Sequence, residues 1–180
     1  MLAPIRAFGT PVGEHLGPMP YTAWQQAFDP LLVPGMRNYW KSHNFSEIPD
    51  GAIDVLIASV QKLPSPHCEI FVGMLGGAAS RVPADATAYS QRDANFVMNV
   101  HSRWETAEED EKCISWAREF FNNAAPYATG GVYVNFMPAD EADRVAGGAY
   151  KSEVMTRLEQ LKGKWDPDNF FRMNQNIKPA

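Results

Sequence analysis

Residues 95–104 read NFVMNVHSRW, and their alternation decides the fold class. On an extended chain Phe96, Met98, Val100 and Trp104 fall on one side, while Asn95, Asn99, His101 and Arg103 fall on the other. Such a strand offers one face to a core and keeps one polar face. That pattern suits an antiparallel sheet covered on one side better than a parallel sheet buried on both. Helices alternate with strands on either side of it, so the sequence predicts an α+β fold. It should be an antiparallel sheet covered on one face by helices, ending in a carboxy-terminal helix and an extended tail.

Upstream, residues 1–19 are rich in Gly and Pro and read as loop, and Pro20 opens a short helix carrying Tyr21, Trp24 and Phe28. MRNYWKSHNF, residues 36–45, reads as an aromatic strand. Asp50 is placed to accept from the first amides of a helix whose apolar stripe is Ile53, Leu56, Ile57, Val60 and Leu63. CEIFVGMLGG reads as a buried strand ending in a glycine turn, with a looser strand near residues 86–89. Downstream, Thr106-Ala-Glu-Glu109 matches a capping box for a helix through Ile114, Ala117 and Phe121. After Gly130-Gly131 come a predicted strand VYVNF, a helix carrying Met155, Leu158 and Leu161, a WDPDN stop and an NQNI tail.

At 180 residues the chain can bury one real core, and its 45% hydrophobic content argues for a folded protein. A net charge of -5 without a basic run disfavours nucleic acid or an anionic membrane as the main partner. Cys68 and Cys113 are too few for a disulfide framework, and the Pro-broken amino terminus is neither signal peptide nor anchor, so a cytoplasmic location is expected. His15, His43, His67 and His101 are scattered without helical i, i+4 spacing, so no metal site is expected. Nor does any GxSxG elbow mark a serine hydrolase.

The order YVNF, helix, DPDN-Phe-Phe-Arg, NQNI resembles the carboxy-terminal segment of the berberine-bridge-enzyme-like FAD-linked oxidases. Upstream blocks, RAFGTPVGEHLGPMPYTAWQ, GMRNYWKS, LGGAASRVPADATAYSQRD and WETAEEDEKCISWARE, are similar to the family's substrate-side domain in the same order. The resemblance therefore divides the chain into residues 1–129, part of that domain, and residues 130–180, the terminal segment. Neither the family's pyrophosphate-wrapping Gly-rich loops nor its flavin-linking His has a counterpart in these residues. It implies the substrate-side module of an FAD-dependent oxidoreductase, truncated or separately encoded and inactive as an oxidase alone. FAD is the implied cofactor. A small-molecule substrate is expected, with a homodimer or a separately encoded FAD domain as partner.

By the same resemblance Tyr133, Asn135, Asn174 and Asn176 approach the flavin edge, and Tyr39, Lys41, Asn99, His101 and Phe136 face substrate. The family's frequent tyrosine base falls on Phe136, which cannot take a proton, and the carboxylate of some plant members falls near Val97 and Met98. No catalytic residue is assigned. For each of these residues a plainer role stands beside the functional one: Tyr133 as a core aromatic, His101 as a satisfied boundary group, Arg103 as a partner of Glu105. The alternative reading of the whole is a non-catalytic small-molecule-binding module derived from that domain.

Overall fold

A computed structural model describes residues 2–32 and 34–180, which divide into two compact units, Met1–Gly35 and Met36–Ala180. In the first unit, α1 spans Ala3–Phe8 where loop is expected, with Pro4 in the first turn where its missing N–H costs nothing. Helix α2, Tyr21–Gln26, follows, and the Trp24 ring meets Phe28 edge-on at 5.3 Å.

The second unit is built on a three-stranded antiparallel sheet of β1 (Arg37–Phe45), β2 (Glu69–Met74) and β3 (Phe96–Trp104). Their order is β1-β3-β2, so the strand that decides the fold class is the central one. Helices α3 (Asp50–Val60) and α4 (Asp110–Ala124) carry the core residues that meet one sheet face. From α4 come Cys113, Trp116, Ala117, Phe120 and Ala124, and from the sheet Phe45, Met98, Val100 and Trp104. Every one of these is under 9% exposed, and burial of their apolar surface is the main stabilisation of the unit.

Six local expectations change in this unit. Asp50 makes no capping bond. The buried side of α3 is Ala52 with half-buried Val55 and Leu56, leaving Ile53, Ile57 and Val60 exposed. Gly51 sets that rotation by closeness: a Cβ there would lie 2.5 Å from the Tyr127 hydroxyl oxygen. Trp116 Nε1 donates to Ser59 O at 3.0 Å and fixes the far end of α3. The expected buried strand β2 is a largely exposed edge, and residues 86–89 form bends.

At the start of α4 the Thr106 side chain caps no amide. It reaches the Glu108 carboxylate, which is held below its ordinary pKa by a backbone N–H and by that hydroxyl. VYVNF is not a strand. Gly130 takes φ +85°, Val134–Phe136 form one 3-10 turn, and the chain then runs through short turns to α5, Ser152–Trp165. Val132, Met137, Val145 and Ala149 form a second small core under this segment. The WDPDN stop works as expected, because the Asp166 carboxylate accepts from the amides of Phe170 at 2.8 Å and Phe171 at 3.0 Å.

Candidate functional site

Strand pairing sorts the sheet residues onto two faces. Trp40 lies opposite His101, Ser42 opposite Asn99 and Asn44 opposite Val97, so these six share the face turned away from α3 and α4. From β2 the same face receives Glu69, Phe71 and Gly73. The polar face of β3 is thus real, and it is also buried: Asn99 is 4% exposed, His101 6% and Arg103 6%. Along it run polar atoms with no hydrogen-bond partner among the described residues, Ser42 Oγ, both amide atoms of Asn44, Asn99 Oδ1 and His101 Nε2. An unpaired buried polar atom costs about 1–3 kcal/mol, so the stability of this face depends on what supplies the missing partners.

His101 Nδ1 lies 3.4 Å from Glu69, and its ring sits 4.5 Å from that of Trp40. Burial and the Arg103 guanidinium hold its pKa below the ordinary value, against the pull of Glu69. Arg103 bonds Glu69 at 3.4 Å and the His67 carbonyl at 3.1 Å, while Glu105, its expected partner, lies 3.5 Å from His67 instead.

One end of this face opens into a cleft of about 530 Å³ between the sheet and residues 75–94. Asn44 and Val97 line it together with the rings of Phe71, Tyr89, Tyr133 and Phe136. Arg92 is its one charged lining residue, and its guanidinium is spent on Tyr89 O, Ala79 O and Thr87 Oγ1 at 3.0, 2.9 and 2.8 Å. The result is a largely apolar, aromatic pocket of ordinary ligand-binding size with one guanidinium at its wall.

The Val134–Phe136 turn separates this cleft from a second one. Asn135, Tyr150 and the tail residues Asn174 and Gln175 line the second, with Trp40 at its base. Asn135 Nδ2 donates to the Tyr133 hydroxyl at 2.6 Å, and Gln175 Nε2 donates to Met137 O at 2.9 Å, tying the tail to the turn. Asn176 Oδ1 is buried without a partner. Of the residues singled out in the sequence, Tyr133, Asn135, Phe136 and Asn174 therefore gather at one turn, with Asn176 beside it in the tail and Asn99 and His101 on the adjoining sheet face.

Tyr39 and Lys41 lie elsewhere. Their strand positions put them on the helix-facing side, where Tyr39 Oη donates to Asp140 at 2.8 Å and Lys41 bonds the buried Glu141 at 2.8 Å. Asn44 and Gln91, which sequence reasoning passed over, do line the first cleft. Nothing local marks them, because each is a single polar residue among ordinary neighbours.

Residues 132–178 match the family described as berberine and berberine like. The FAD-linked oxidoreductase YgaK of Bacillus subtilis is 28% identical over 181 residues, covering 99% of this chain and 40% of that protein. Over residues 132–178 the chain is similar to the berberine-bridge-like family. Berberine bridge enzyme-like 5 of Arabidopsis thaliana is 32% identical over 120 residues, 58% of this chain and 23% of that one. The solved structure of Arabidopsis thaliana berberine-bridge-like protein 28 superposes with a TM-score of 0.72 at 21% identity, over 81% of this chain and 34% of that chain. A glycopeptide hexose oxidase solved with teicoplanin superposes at 0.70 and 22% identity, over 81% and 33%. At those identities the structures establish the fold. The chain spans about two-fifths of the FAD-linked relatives it matches along nearly all its own length, 40% of YgaK and 41% of YvdP.

Set against the cofactor of those relatives, the residues fit the ring end. Asn135 and Asn174 line one cleft and Asn176 keeps an unused acceptor. A diphosphate finds less: no Lys or Arg lines the second cleft, and Arg92 is the one cation lining the first, with three of its N–H groups bonded to neighbouring residues. No group of His, Cys, Asp and Glu among the described residues could hold a metal ion, and no helix among them is long and apolar enough to cross a membrane.

Gly131 tests how closely the first cleft is built. A Cβ there would lie 2.5 Å from Gln91 Oε1 and 3.2 Å from Asn44 Nδ2. Gly131→Ala should push Gln91 off its 2.8 Å bond to Gly148 O and cost about 1–3 kcal/mol in urea unfolding. A loss near zero would mean that Gln91 is loosely held.

Proposed function

We propose that this chain is the substrate-side and carboxy-terminal module of a berberine-bridge-like FAD-dependent oxidoreductase, and that it does not oxidise substrate by itself. The observation that carries this reading is the meeting of Tyr133, Asn135 and Asn174 at one turn beside the cleft holding Phe136. Flavin, when bound, would accept the hydride. The chain's own residues would present the ring edge with amide and hydroxyl groups and hold substrate against the aromatic wall. Phe136 takes no proton, so proton removal falls to another group.

A partner fits the surface. Trp165, Phe170, Phe171 and Met173 are 75–83% exposed, and Met74 on the edge strand is 84% exposed. Exposed apolar side chains of this kind are what a separately encoded FAD domain or a second copy would cover. A second reading, a small-molecule binder without redox chemistry, rests on Phe136 and on the aromatic lining of the cleft.

The test is the visible spectrum of the purified chain after FAD is added and gel filtration removes what does not bind. The chain alone should elute colourless, since the ring contacts lack phosphate anchors to hold the cofactor. A retained yellow band would overturn the claim that it cannot work alone.

A further inference from the structure

We propose that Asn44 selects the ligand of the first cleft, and that this ligand is a planar ring with a donor and an acceptor side by side on one edge, as in a lactam. The inference rests on the reading of that cleft as a binding site and adds the chemistry of its occupant. Asn44 is 1% exposed, and both its Oδ1 and its Nδ2 lack a partner. Its backbone is held: the amide donates to Gly131 O at 3.0 Å, and the carbonyl accepts from Thr129 N at 2.9 Å and Thr129 Oγ1 at 3.1 Å. The side chain thus stands on an anchored backbone at the cleft wall, buried and with both carboxamide atoms unpaired.

A carboxamide pairs best with its own complement, an adjacent N–H and C=O in one plane, because two hydrogen bonds then form in a single orientation. A hydroxyl alone would leave one of the two atoms unpaired. Around this edge the cleft is walled by Phe71, Tyr89, Tyr133 and Phe136, with Tyr133 and Phe136 perpendicular at 5.1 Å. Those rings suit a flat apolar body. Arg92 keeps its charge but directs three of its N–H groups to Tyr89 O, Ala79 O and Thr87 Oγ1, so the Asn44 edge is where the cleft wall offers unpaired polar atoms. Gly73 keeps the floor clear, since a Cβ there would lie 2.9 Å from the Phe71 ring and 3.1 Å from Val97.

The test compares isoquinolone, a fused-ring lactam, with naphthalene, the same outline without a polar edge, by ligand-observed NMR on the purified chain. The wild type should prefer isoquinolone by about tenfold or more, the ratio that one net hydrogen-bond gain supports. Asn44→Leu keeps the shape and removes an unpaired buried amide, so it should fold and lose that preference while naphthalene binding is unchanged. Asn44→Asp, which keeps the acceptor and loses the donor, should lose it too. Equal binding of the two probes by the wild type, or a preference surviving in both variants, would overturn the role of Asn44 and leave the cleft reading standing. Failure of both probes to bind would overturn the cleft reading along with it.

Discussion

Glu141→Gln should cost the folded protein about 3–5 kcal/mol, the usual penalty for stripping one partner from a buried ion pair. Glu141 is 3% exposed and lies 2.8 Å from Lys41 Nζ and 2.6 Å from Arg144 Nη1. Lys41 is itself 8% exposed, and both cations sit over the Phe121 ring, at 4.3 Å and 4.9 Å. Without the carboxylate, buried Lys41 loses its direct partner and is left beside the part-exposed Arg144, a like charge. Urea unfolding would show the loss as a lower midpoint at unchanged slope. Adding Lys41→Met to Glu141→Gln should recover part of the stability, since the uncompensated charge leaves with it. If the double variant is as weak as the single one, packing rather than charge is what Glu141 supplies. The consequence reaches the site, because residues 139–150 hang on this cluster and Ala139, Ala142 and Tyr150 line the second cleft.

His43, beside that cluster, should make the protein sensitive to mild acid. Its ring stacks on Phe121 at 3.9 Å, and Nε2 donates to Phe121 O at 3.0 Å. Burial, opposed by that carbonyl and reinforced by Arg144 and Lys41, pulls its pKa from 6.5 down to about 4. Because the folded value is depressed, the unfolded chain takes up the proton first. The stability held by neutral His43 is therefore intact above about pH 6.5, falls as pH drops, and is fully lost near pH 4. The loss is about 3 kcal/mol. Below that window the group contributes no further change. Paired carboxylates such as Asp110 and Asp166, whose pKa values are lowered by Arg37 and Lys162, add their own losses at more acidic pH. Comparing wild type with His43→Phe, which keeps the stack and cannot titrate, isolates the histidine. Equal pH dependence in the two proteins would refute its assignment.

Both effects arise from contacts that a sequence does not display. Lys41 and Glu141 are distant in sequence and meet only because β1, α4 and the turns after residue 138 fold together, so Lys41 reads as a ligand group until its strand face is known. Strands β1 and β3, helices α4 and α5 and the Asp166 stop were legible because each carries a local pattern: alternation, helical spacing, an acceptor beside a proline. The α3 stripe misled because Ile53, Ile57 and Val60 are apolar without being covered, and close approach at Gly51 turned Ala52 inward instead. VYVNF misled because its β-branched residues favour a strand, whereas the left-handed Gly130 turns the chain and Val132 and Met137 are buried in a separate small core. At the site, Tyr133, Asn135 and Asn174 could be named from a resemblance. Asn44 and Gln91 could not, since what distinguishes them is an unpaired buried amide and a close approach to Gly131.

The most direct measurement is the backbone amide NMR spectrum of the chain titrated with lumiflavin, which offers the flavin ring without any phosphate. If the turn and tail are the flavin-facing surface, shifts should move at residues 133–136 and 174–176, and α3 and the outer face of α5 should stay unchanged. Shifts confined to those helices, or none at all at saturating ligand, would contradict the placement of the site.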